Sequence, residues 1–521
     1  MKTVSTTRMR QIEERMATDY GVTTEMLMDR AGYGVAHEVR TLADRAGFSD
    51  PLIQIFAGRG NNGGDAFVAA RYLAEEDFSV EVMLAGAERD LEGDALHAFS
   101  QLKEAKVKFT EVPTRADWDR LQHEWPGGDI LVDGLLGTGV SGPARGAIAG
   151  AIRYINANAK RGFVVSIDVP SGMSADTGVA PGDVVWADLT VAIGLPKIGY
   201  LSPRALEYVG TVCVADIGIP WELMEQADGP MEIITAADLR AMIPRRLRNT
   251  HKGSYGHALI LAGSADYPGA PTLALAGAVR SGVGLVTAYV PGSLSLSVSA
   301  ALPDAIVRPA PATTAGTLSA AFWEQLRPRL ADYSAVLIGP GLTPHPEIRT
   351  LVERLLDECR VPLVLDADAL NVLEREAARV ARAKGPVILT PHPGEMGRLL
   401  GCPAAVVQED REATLRKAVE KTGAVVALKG AGTLVGAPGR PIHLNLSGNP
   451  GMAKGGTGDV LAGLIVGLAA QGLEPFDAAR AGVYLHGQAG DSVALRGSQQ
   501  TLLASDLAME LTGVFRELML R

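Results

Sequence analysis

Oxygen-bearing side chains accompany several apolar runs in the first half of the chain. Asn62, Asp133 and Ser171 stand in or just after such runs, and Asp168 ends one of them. Oxygen ligands suit a hard cation, and one carboxylate with neutral partners suits a monovalent ion better than magnesium. A carboxylate at a strand end is also placed to exchange a proton with a bound ligand. These residues predict a cation site beside an acid/base group, although Asp133 or Asp168 alone fits a helix cap or loop anchor equally well.

The stretch GRGNNGGDA, which begins at Gly58, has glycines spaced as G-x-G-x-x-G. Such a turn lets backbone N–H groups approach a phosphate at a helix N-terminus, but many strand-to-helix turns share the spacing. Glu88 lies at about the distance where a dinucleotide-binding fingerprint has its acidic ribose ligand. The paired asparagines and Asp65 are not part of that fingerprint, and the absence of G-K-[ST] excludes an ordinary P-loop. The stretch therefore fits either a dinucleotide contact or a simple turn.

The strongest single signal is the stretch NPGMAKGGTGDVLAG at 449–463. Its glycines precede an apolar helical run, so the amides of Gly455 to Gly458 can form an anion hole at the helix N-terminus. Asp459 would then lie beside a transferred phosphoryl group, where a carboxylate acts as a base on a hydroxyl. The alternative is that Asp459 only interacts favourably with the helix dipole.

Two further turns in the second half carry polar side chains. LKGAGTLVG at 428–436 places Lys429 within reach of a nucleotide phosphate, unless that lysine is simply solvated. TPHPGEMGRLLG at 390–401 places His392 and Glu395 at a proline-bounded strand end, which suits a fixed ligand contact. A lone histidine is often structural, so this motif is ambiguous by itself.

Short β-rich runs alternate with helical patterns in two series, which predicts two α/β domains with parallel sheets covered on both faces. We place these domains at residues 1–228 and 229–521, because the strand pattern breaks at PWELMEQADGPM. Helical patterns lie near 457–471, 477–495 and 503–519. The strand candidates are LIQIFA, VEVMLA, DILVDGLL, FVVSIDV, DLTVAIG and GTVCVADIG, then HALILAGS, LVTAYVP, AVLIGPG, PLVLDAD, PVILTPH and AVVALKG. Ligands of such sheets bind beyond the carboxyl ends of the strands, where the polar motifs stand.

Composition narrows the classes of function. The 521 residues are 47% hydrophobic and carry a formal net charge of -10, which offers no basic footprint for nucleic acid or an anionic membrane. Three well-separated cysteines predict a reducing compartment without a disulfide framework. The first residues lack the apolar core of a signal peptide, so we expect a cytoplasmic protein.

In the first half, GRGNNGGD, VDGLLGTGVSGP and DVPSG occur in that order, and residues 8–220 resemble the NAD(P)H-hydrate epimerase family. The resemblance implies a Rossmann-like fold that interconverts the R and S forms of hydrated NADH and NADPH. It implies that Asp168 is the acid/base residue. Ala66 stands where the family usually has glycine, and we expect its methyl group to have a small effect. The implied potassium ligands are Asn62, Asp133 and Ser171, and the implied substrate contacts are Asn61, Asn62, Gly63, Gly64, Asp65, Gly137, Thr138, Gly139, Val140, Ser141, Gly142, Pro143 and Asp168.

The motifs of the second half resemble the ADP/ATP-dependent NAD(P)H-hydrate dehydratase family over about residues 232–519. The resemblance implies a ribokinase-like fold, in which a nucleotide phosphorylates the ring hydroxyl and elimination of phosphate restores NAD(P)H. It implies that Asp459 is catalytic. Magnesium is expected with the ADP or ATP, bound largely by phosphates and water. The implied substrate contacts are Ala270, Gly341, His392 and Asp459, and the implied nucleotide contacts are Lys429, Gly430, Ala431, Gly432, Thr433 and Gly458.

The two resemblances together imply a bifunctional NAD(P)H-hydrate repair enzyme. A dehydratase specific for the S form wastes half of its damaged substrate unless an epimerase converts the rest. One alternative is a small-molecule kinase, of hydroxymethylpyrimidine or sugar type, with a non-catalytic N-terminal binding domain, because related N-terminal domains serve as binding modules. A redox dehydrogenase is a weaker alternative, because no catalytic His or Tyr-Lys arrangement accompanies the turns. We expect a homo-oligomer that binds neither nucleic acid nor membranes.

Overall fold

Apolar strands and the helices between them fold into two units, Met1–Ile233 and Ile234–Arg521. The computed structural model describes residues 1–124, 127–139 and 142–520. The sequence places its boundary after residue 228, and that division of domains stays a prediction.

A parallel sheet forms the centre of the first unit. Its strands are β1 (Leu52–Ala57), β2 (Ser79–Leu84), β3 (Lys108–Glu111), β4 (Ile130–Gly134), β5 (Phe163–Ile167), β6 (Leu189–Ile193) and β7 (Thr211–Ala215). Over the described residues their order is β3-β2-β1-β4-β5-β6-β7, and every neighbouring pair is parallel. The six predicted strands are confirmed, and β3 is an additional edge strand. The order reverses between β1 and β4, which gives the switch point of a Rossmann-like sheet, where ligands bind.

Helices of the first unit cover this sheet and position its loops. Helix α3 begins directly after β1 and has no side chain capping its N-terminus, so its first N–H groups remain available. Helix α1 is closed at both ends, by the Ser5 hydroxyl and by Gly21 in the left-handed region. The helices are α1 (Thr6–Tyr20), α2 (Thr24–Ala46), α3 (Asn61–Glu75), α4 (Gly93–Glu104), α5 (Arg115–Glu124), α6 (Gly146–Asn158), α7 (Leu206–Val209) and α8 (Trp221–Met224).

The second unit is also built of α-helices and β-strands, with a larger and mixed sheet. After the two-residue strand β8 (Glu232–Ile233), its strands are β9 (His257–Leu261), β10 (Leu285–Pro291), β11 (Ile306–Ala310), β12 (Ala335–Ile338), β13 (Leu363–Leu365), β14 (Val387–Leu389), β15 (Val425–Leu428), β16 (Thr433–Gly436) and β17 (His443–Asn445). Strands β9 to β17 lie in the order β11-β10-β9-β12-β13-β14-β15-β16-β17. The six predicted strands are confirmed within the parallel part. Strands β16 and β17 extend it as an antiparallel pair.

The three long helical patterns of the sequence are confirmed by the last three helices of the second unit. None of the helices in the described ranges is both long and apolar enough to cross a membrane. The helices are α9 (Ala236–Met242), α10 (Ala270–Arg280), α11 (Ser295–Ala301), α12 (Trp323–Leu326), α13 (Pro346–Glu358), α14 (Asp368–Asn371), α15 (Ala377–Val380), α16 (Pro393–Leu400), α17 (Ala404–Glu409), α18 (Arg411–Thr422), α19 (Thr457–Ala470), α20 (Pro475–Arg496) and α21 (Ala504–Leu520).

Glycines allow α10 and α19 to pack closely in the core of the second unit. A methyl group on Gly463 would overlap the carbonyl oxygen of Ala274, and one on Gly277 would overlap that of Val460. The helices therefore approach with backbone against backbone, a distance that only glycine permits at these positions. This packing fixes the start of each helix, where Ala270 and Asp459 stand.

Candidate active sites

The three predicted cation ligands come together beside the switch point of the first sheet. Asn62 is buried in the first turn of α3, and its Nδ2 donates to the carbonyl oxygens of Leu136 (3.1 Å) and Ile167 (3.2 Å). Ser171 Oγ lies 2.5 Å from Asp133 Oδ1 and accepts a 2.9 Å hydrogen bond from the Leu136 amide. A set of amide, hydroxyl, carbonyl and carboxylate oxygens is therefore assembled within one loop cluster.

The chemistry of Asp133 fits a bound cation. This carboxylate is fully buried, and it also accepts hydrogen bonds from the Ser171 amide (2.8 Å), Ser166 Oγ (2.9 Å) and the Leu135 amide (3.3 Å). Burial raises its pKa, while these neutral donors lower it. No Lys, Arg or His in the described part of the chain forms an ion pair with Asp133. A buried carboxylate that has only neutral donors gains stability from a positive ion nearby.

Asp168 is held in one orientation by a buried lysine that the sequence analysis did not identify. Lys197 Nζ donates to Asp168 Oδ1 at 2.5 Å, and its other bonds go to the carbonyl oxygens of Ile193 (3.0 Å) and Leu195 (2.8 Å). The Ile193 amide also donates to Oδ1, at 3.0 Å, and the Tyr200 hydroxyl donates to the Asp168 carbonyl oxygen. Asp168 has a φ of 64°, a conformation that non-glycine residues rarely adopt. Oδ2 takes no hydrogen bond from any described residue, so it is the oxygen left for a ligand.

The charge of Asp168 acts on two more carboxyl groups, those of Asp65 and Glu13. Asp65, in the first turns of α3, is half-buried, and burial together with the charges of Asp168 and Glu13 raises its pKa well above the usual range. Burial also raises the pKa of Glu13 in α1, which Lys197 lowers and Asp168 raises further. Glu13 was not predicted, because nothing in the sequence of α1 marks it as a site residue.

The glycines around the switch point have different structural roles. Methyl groups on Gly58 and Gly63 would overlap backbone carbonyl oxygens, of Leu135 and Gly58 respectively, so both are required for packing. Ala66 is fully buried, and a methyl group on Gly134 would lie 2.6 Å from its Cβ, so its side chain faces the core. This explains why alanine is accepted there.

The remaining predicted substrate contacts of the first unit lie around the same edge. Asn61 begins α3, and Gly64 packs in the core, where a methyl group would meet the Met28 side chain. A methyl group on Gly137 would stand 3.3 Å from Asn62 Cβ. Thr138 is half-buried, and Gly139, Gly142 and Pro143 are exposed. Val140 and Ser141 lie outside the described residues.

In the second unit, Asp459 stands in the first turn of α19, whose N-terminus has no side-chain cap. Gly456, the preceding cap residue, has a φ of 90°, in the left-handed region that glycine favours. Burial and the nearby charge of Asp366 raise the pKa of Asp459 to about 7, against the effect of Lys429. A carboxyl group with this pKa acts as a general base near neutral pH.

Lys429 lies inside a buried charge cluster and is not solvated. Its Nζ donates to Asp366 Oδ1 at 2.7 Å and lies 3.7 Å from Glu395 Oε2. Burial lowers the pKa of Lys429, but these carboxylates outweigh burial and hold it above its ordinary value. A methyl group on Gly458 would stand 3.4 Å from the same nitrogen, so Lys429 reaches the start of α19. The ammonium group is thus placed to contact an anion that binds at the N-terminus of α19.

His392 caps helix α16 in its neutral form. Its Nδ1 accepts from the amides of Gly394 (2.9 Å) and Glu395 (3.3 Å), which leaves the proton on Nε2. Nε2 lies 3.3 Å from Glu395 Oε1. Burial and the charges of Lys429 and Arg398 lower the pKa of His392. His392 is therefore a structural cap whose half-exposed ring still borders the cluster.

Ala270 and Gly341 lie side by side at the carboxyl edge. A methyl group on Gly341 would stand 2.7 Å from Ala270 Cβ and 2.8 Å from Tyr267 Cβ. Gly341 has a φ of 63°, so both its conformation and its space favour glycine. The two residues form a surface without large side chains at the start of α10.

Arg411 donates hydrogen bonds to backbone carbonyl oxygens of the predicted nucleotide loop, residues 429–433, and of the strand residue before it. The Arg411 guanidinium donates to the carbonyl oxygens of Leu428 (3.1 Å), Lys429 (3.3 Å) and Gly432 (3.2 Å). Gly430 and Ala431 are exposed, and Thr433 Oγ1 donates to the Gly430 carbonyl oxygen at 3.1 Å. The exposed side of this loop is the surface available to a nucleotide. The sequence analysis did not identify Arg411 as a site residue, because its contacts with residues 428–432 form only in the folded chain.

Two family models match the chain in this order. Residues 24–199 match the model described as YjeF-related protein N-terminus, and residues 258–512 match the model described as NAD(P)H-hydrate dehydratase. Among solved structures, the ADP/ATP-dependent NAD(P)H-hydrate dehydratase of Bacillus subtilis, co-crystallised with ATP/Mg²⁺, is 34% identical. The match covers 55% of this chain and 99% of that chain, with a TM-score of 0.49.

Curated relatives are similar over both units. The bifunctional NAD(P)H-hydrate repair enzyme Nnr of Moorella thermoacetica is 39% identical over 518 residues, covering 99% of this chain and 97% of the relative. The enzyme of the same name from Coxiella burnetii is 35% identical over 500 residues, covering 96% of each chain. Because this identity extends over nearly the whole length, the chain belongs to the family of bifunctional NAD(P)H-hydrate repair enzymes, which joins an epimerase unit to a dehydratase unit.

Proposed function

We propose that the first unit interconverts the R and S forms of hydrated NADH and NADPH, and that the second unit dehydrates the S form with ADP or ATP. The observation that carries this proposal is the arrangement at α19. There a base with a pKa of about 7, Asp459, adjoins an uncapped helix N-terminus and the Lys429 ammonium group. This combination suits phosphoryl transfer to a hydroxyl group.

In the first unit, Asp168 moves the proton. Inversion at the carbon that bears the hydroxyl group requires one bond to that carbon to break and re-form, and each half of the exchange moves a proton. Lys197 and the Ile193 amide fix Oδ1, so Oδ2 is the atom that gives and takes this proton. The substrate lies against residues 61–65 and 137–143, with its phosphates near the free N–H groups of α3.

We assign potassium to Asn62, Asp133 and Ser171. A potassium ion would neutralise the buried Asp133 carboxylate and fix the loop that carries Ser171. Neutral oxygens with one carboxylate suit this monovalent ion. The three residues thereby hold the loops on which the substrate rests.

In the second unit, the hydrate lies between Ala270, Gly341, His392 and Asp459. Asp459 takes the proton of the ring hydroxyl while the hydroxyl oxygen bonds to the terminal phosphorus of the nucleotide and the bond to the leaving phosphate breaks. The carbon–oxygen bond of the resulting phosphate ester then breaks, inorganic phosphate departs, and loss of a ring proton from the neighbouring carbon restores the double bond of NAD(P)H. Phosphorylation is needed because hydroxide is a poor leaving group.

The nucleotide rests on residues 429–433 and on Gly458. Lys429 and the first N–H groups of α19 bind its phosphates. Magnesium bound with the nucleotide would neutralise phosphate charge. No cluster of three His, Cys, Asp or Glu side chains in the described part of the chain is arranged for a metal ion, so phosphates and water would supply most of its ligands.

The small-molecule kinase is the alternative that the same site geometry allows. We would incubate the chain with S-hydrate, Mg²⁺ and ADP or ATP, and quantify inorganic phosphate and reduced nicotinamide together. A dehydratase releases one phosphate for each NAD(P)H formed. A stable phosphorylated product without NAD(P)H would establish the kinase instead.

We also propose a cytoplasmic location and assembly as a homo-oligomer. The three free cysteines support a reducing compartment. The assembly as a homo-oligomer stays a prediction.

A further inference from the structure

Helix α1 is fastened to the carboxyl edge of the first sheet, although it precedes the residues matched by the family model. The Val4 amide donates to the Pro196 carbonyl oxygen at 2.9 Å, and the Ile198 amide donates to the Val4 carbonyl oxygen at 3.0 Å. The amide and hydroxyl of Thr6 donate to the two carboxylate oxygens of Asp176, at 2.8 and 2.6 Å. Both partner loops follow strands at the edge where Asp168 stands. The start of α1 is therefore part of the site's surroundings.

Arg10 and Glu13 lie one turn apart on this helix and approach the site. Glu13 is half-buried, and the charges of Lys197 and Asp168 act on its carboxyl group. A methyl group on Gly139, in the predicted substrate loop, would stand 4.0 Å from an Arg10 guanidinium nitrogen. Residues three apart share one helix face, so both side chains border the epimerase site.

Among the residues that the structure describes, Arg10 is the arginine of α1 without a hydrogen-bonded partner, and its charge lowers the pKa of the neighbouring Glu13. Arg8 donates to Gln11 (3.0 Å), and Arg15 donates to Asp19 (2.9 Å) and Gln226 (3.1 Å). Arg10 forms no hydrogen bond or ion pair with any residue that the structure describes, and its side chain is exposed. A guanidinium without a hydrogen-bonded partner beside a glycine loop is placed to bind an anion.

We propose that Arg10 binds a phosphate group of the hydrated dinucleotide in the first unit, an inference that rests on the proposed epimerase activity. The planar guanidinium presents two parallel N–H groups that match two phosphate oxygens. The glycine loop and α3 supply neutral N–H donors, and Arg10 supplies the positive charge that they lack. Two phosphates are candidates: the diphosphate bridge, which both substrates carry, and the 2′-phosphate, which only NADPH-hydrate carries.

The test measures epimerisation by the full chain without nucleotide, so that the dehydratase cannot act. Initial rates of conversion of R- to S-hydrate are followed by chromatographic separation of the epimers, with both NADH-hydrate and NADPH-hydrate. We would compare wild type with Arg10→Gln, Arg10→Lys and the matched control Arg15→Gln. Chemical denaturation of the same preparations reports whether the first unit is folded, and dehydration of S-hydrate with ADP reports on the second unit.

We expect Arg10→Gln to raise KM at least about tenfold with a smaller change in kcat, because a charged hydrogen bond is lost. Arg10→Lys should recover part of the loss, and Arg15→Gln should match wild type. A loss with both substrates assigns the contact to the diphosphate, and a loss with NADPH-hydrate alone assigns it to the 2′-phosphate. Unchanged KM for both substrates in Arg10→Gln would overturn the inference, whereas a wild-type chain that does not epimerise would overturn the proposed function itself.

Discussion

Asp168 and Asp459 are both carboxylates at the carboxyl edge of a sheet, but they have different neighbours. Asp168 bonds directly to a buried lysine and a backbone amide through one oxygen. Asp459 has no such bond to any residue in the described ranges, and burial with three nearby carboxylates raises its pKa to about 7 despite Lys429. The first arrangement orients a carboxylate, and the second tunes one to act as a base near neutral pH.

The raised pKa of Asp459 predicts the pH dependence of dehydration. The base form is lost as the pH falls through about 7. Below that pH, kcat/KM for S-hydrate with ADP should fall by about tenfold for each pH unit. Initial rates between pH 5.5 and 8.5, corrected for non-enzymatic reaction, measure this. A profile that is flat across neutral pH would show that Asp459 is not the base.

The buried Asp133 predicts that epimerisation depends on potassium. Replacing K⁺ by Li⁺ should lower the epimerisation rate, because the smaller ion fits the same oxygens poorly. Asp133→Asn should weaken activation by K⁺ by roughly tenfold or more, since it removes the only carboxylate among the proposed ligands. Chemical denaturation of the same variant serves as the control for folding of the first unit. Equal epimerisation rates in K⁺ and Li⁺ would contradict the assignment of potassium to these residues.

Residue types and strand ends in the sequence were enough to select Asp168, Asp459 and Lys429. Their partners were missed because the contacts are distant in sequence: Lys197 lies 29 positions from Asp168, and Asp366 lies 63 positions from Lys429. Asp366 directly follows β13, as Asp168 directly follows β5, so the same signal was present but unused. The exposed Arg10 carries no comparable signal.

At the scale of elements, Arg411 links helix α18 to the nucleotide loop. Arg411→Met would remove three hydrogen bonds to loop carbonyl oxygens. We expect KM for ADP to rise by roughly tenfold, while KM for the hydrate changes little, because only the nucleotide loop loses support. Arg416→Met is the matched control, since Arg416 on the same helix bonds to Glu412 and to no other described residue. Equal increases in both KM values would indicate general loss of structure instead.

The close packing of α10 and α19 predicts a second effect at this scale. Gly463→Ala would overlap the Ala274 carbonyl oxygen and force the helices apart, at a cost of about 1–3 kcal/mol. The starts of both helices would shift, so dehydration should slow while epimerisation continues. Chemical denaturation and the two activity assays measure this, with Gly292→Ala as control, where the nearest atoms would be 3.8 Å away. Dehydration at the wild-type rate would show that this packing does not position Asp459.

Most strands were predictable from the sequence, including the edge strand β7, but the edge strands β3 and β11 and the antiparallel strands β16 and β17 were not. Strands such as β4 and β12 are buried throughout, so their sequences read as continuous apolar runs. The missed β3 has only exposed or half-buried residues, and β16 and β17 are short. Edge strands need not be apolar, because only one face or one side of them is covered. The antiparallel pairing of β15, β16 and β17 likewise leaves no period in the sequence.

For the whole molecule, the presence of both units on one chain allows both the R and the S forms of the hydrate to be repaired. A dehydratase that accepts only the S form leaves the R form unrepaired, and an epimerase converts that remainder. Each unit carries its proposed catalytic carboxylate at the carboxyl edge of its own sheet, so we expect each activity to be removable by itself.

One measurement tests this division of labour most directly. A mixture of R- and S-hydrates of NADH is incubated with ADP and Mg²⁺, and the absorbance of reduced nicotinamide is followed for wild type, Asp168→Asn and Asp459→Asn. Wild type should recover both epimers as NADH, and Asp168→Asn should recover the S fraction quickly and the R fraction only at the spontaneous rate. Asp459→Asn should form no NADH, although chromatography should still show the epimers exchanging. NADH formation by Asp459→Asn, or full recovery at the wild-type rate by Asp168→Asn, would contradict the assignment of the two carboxylates.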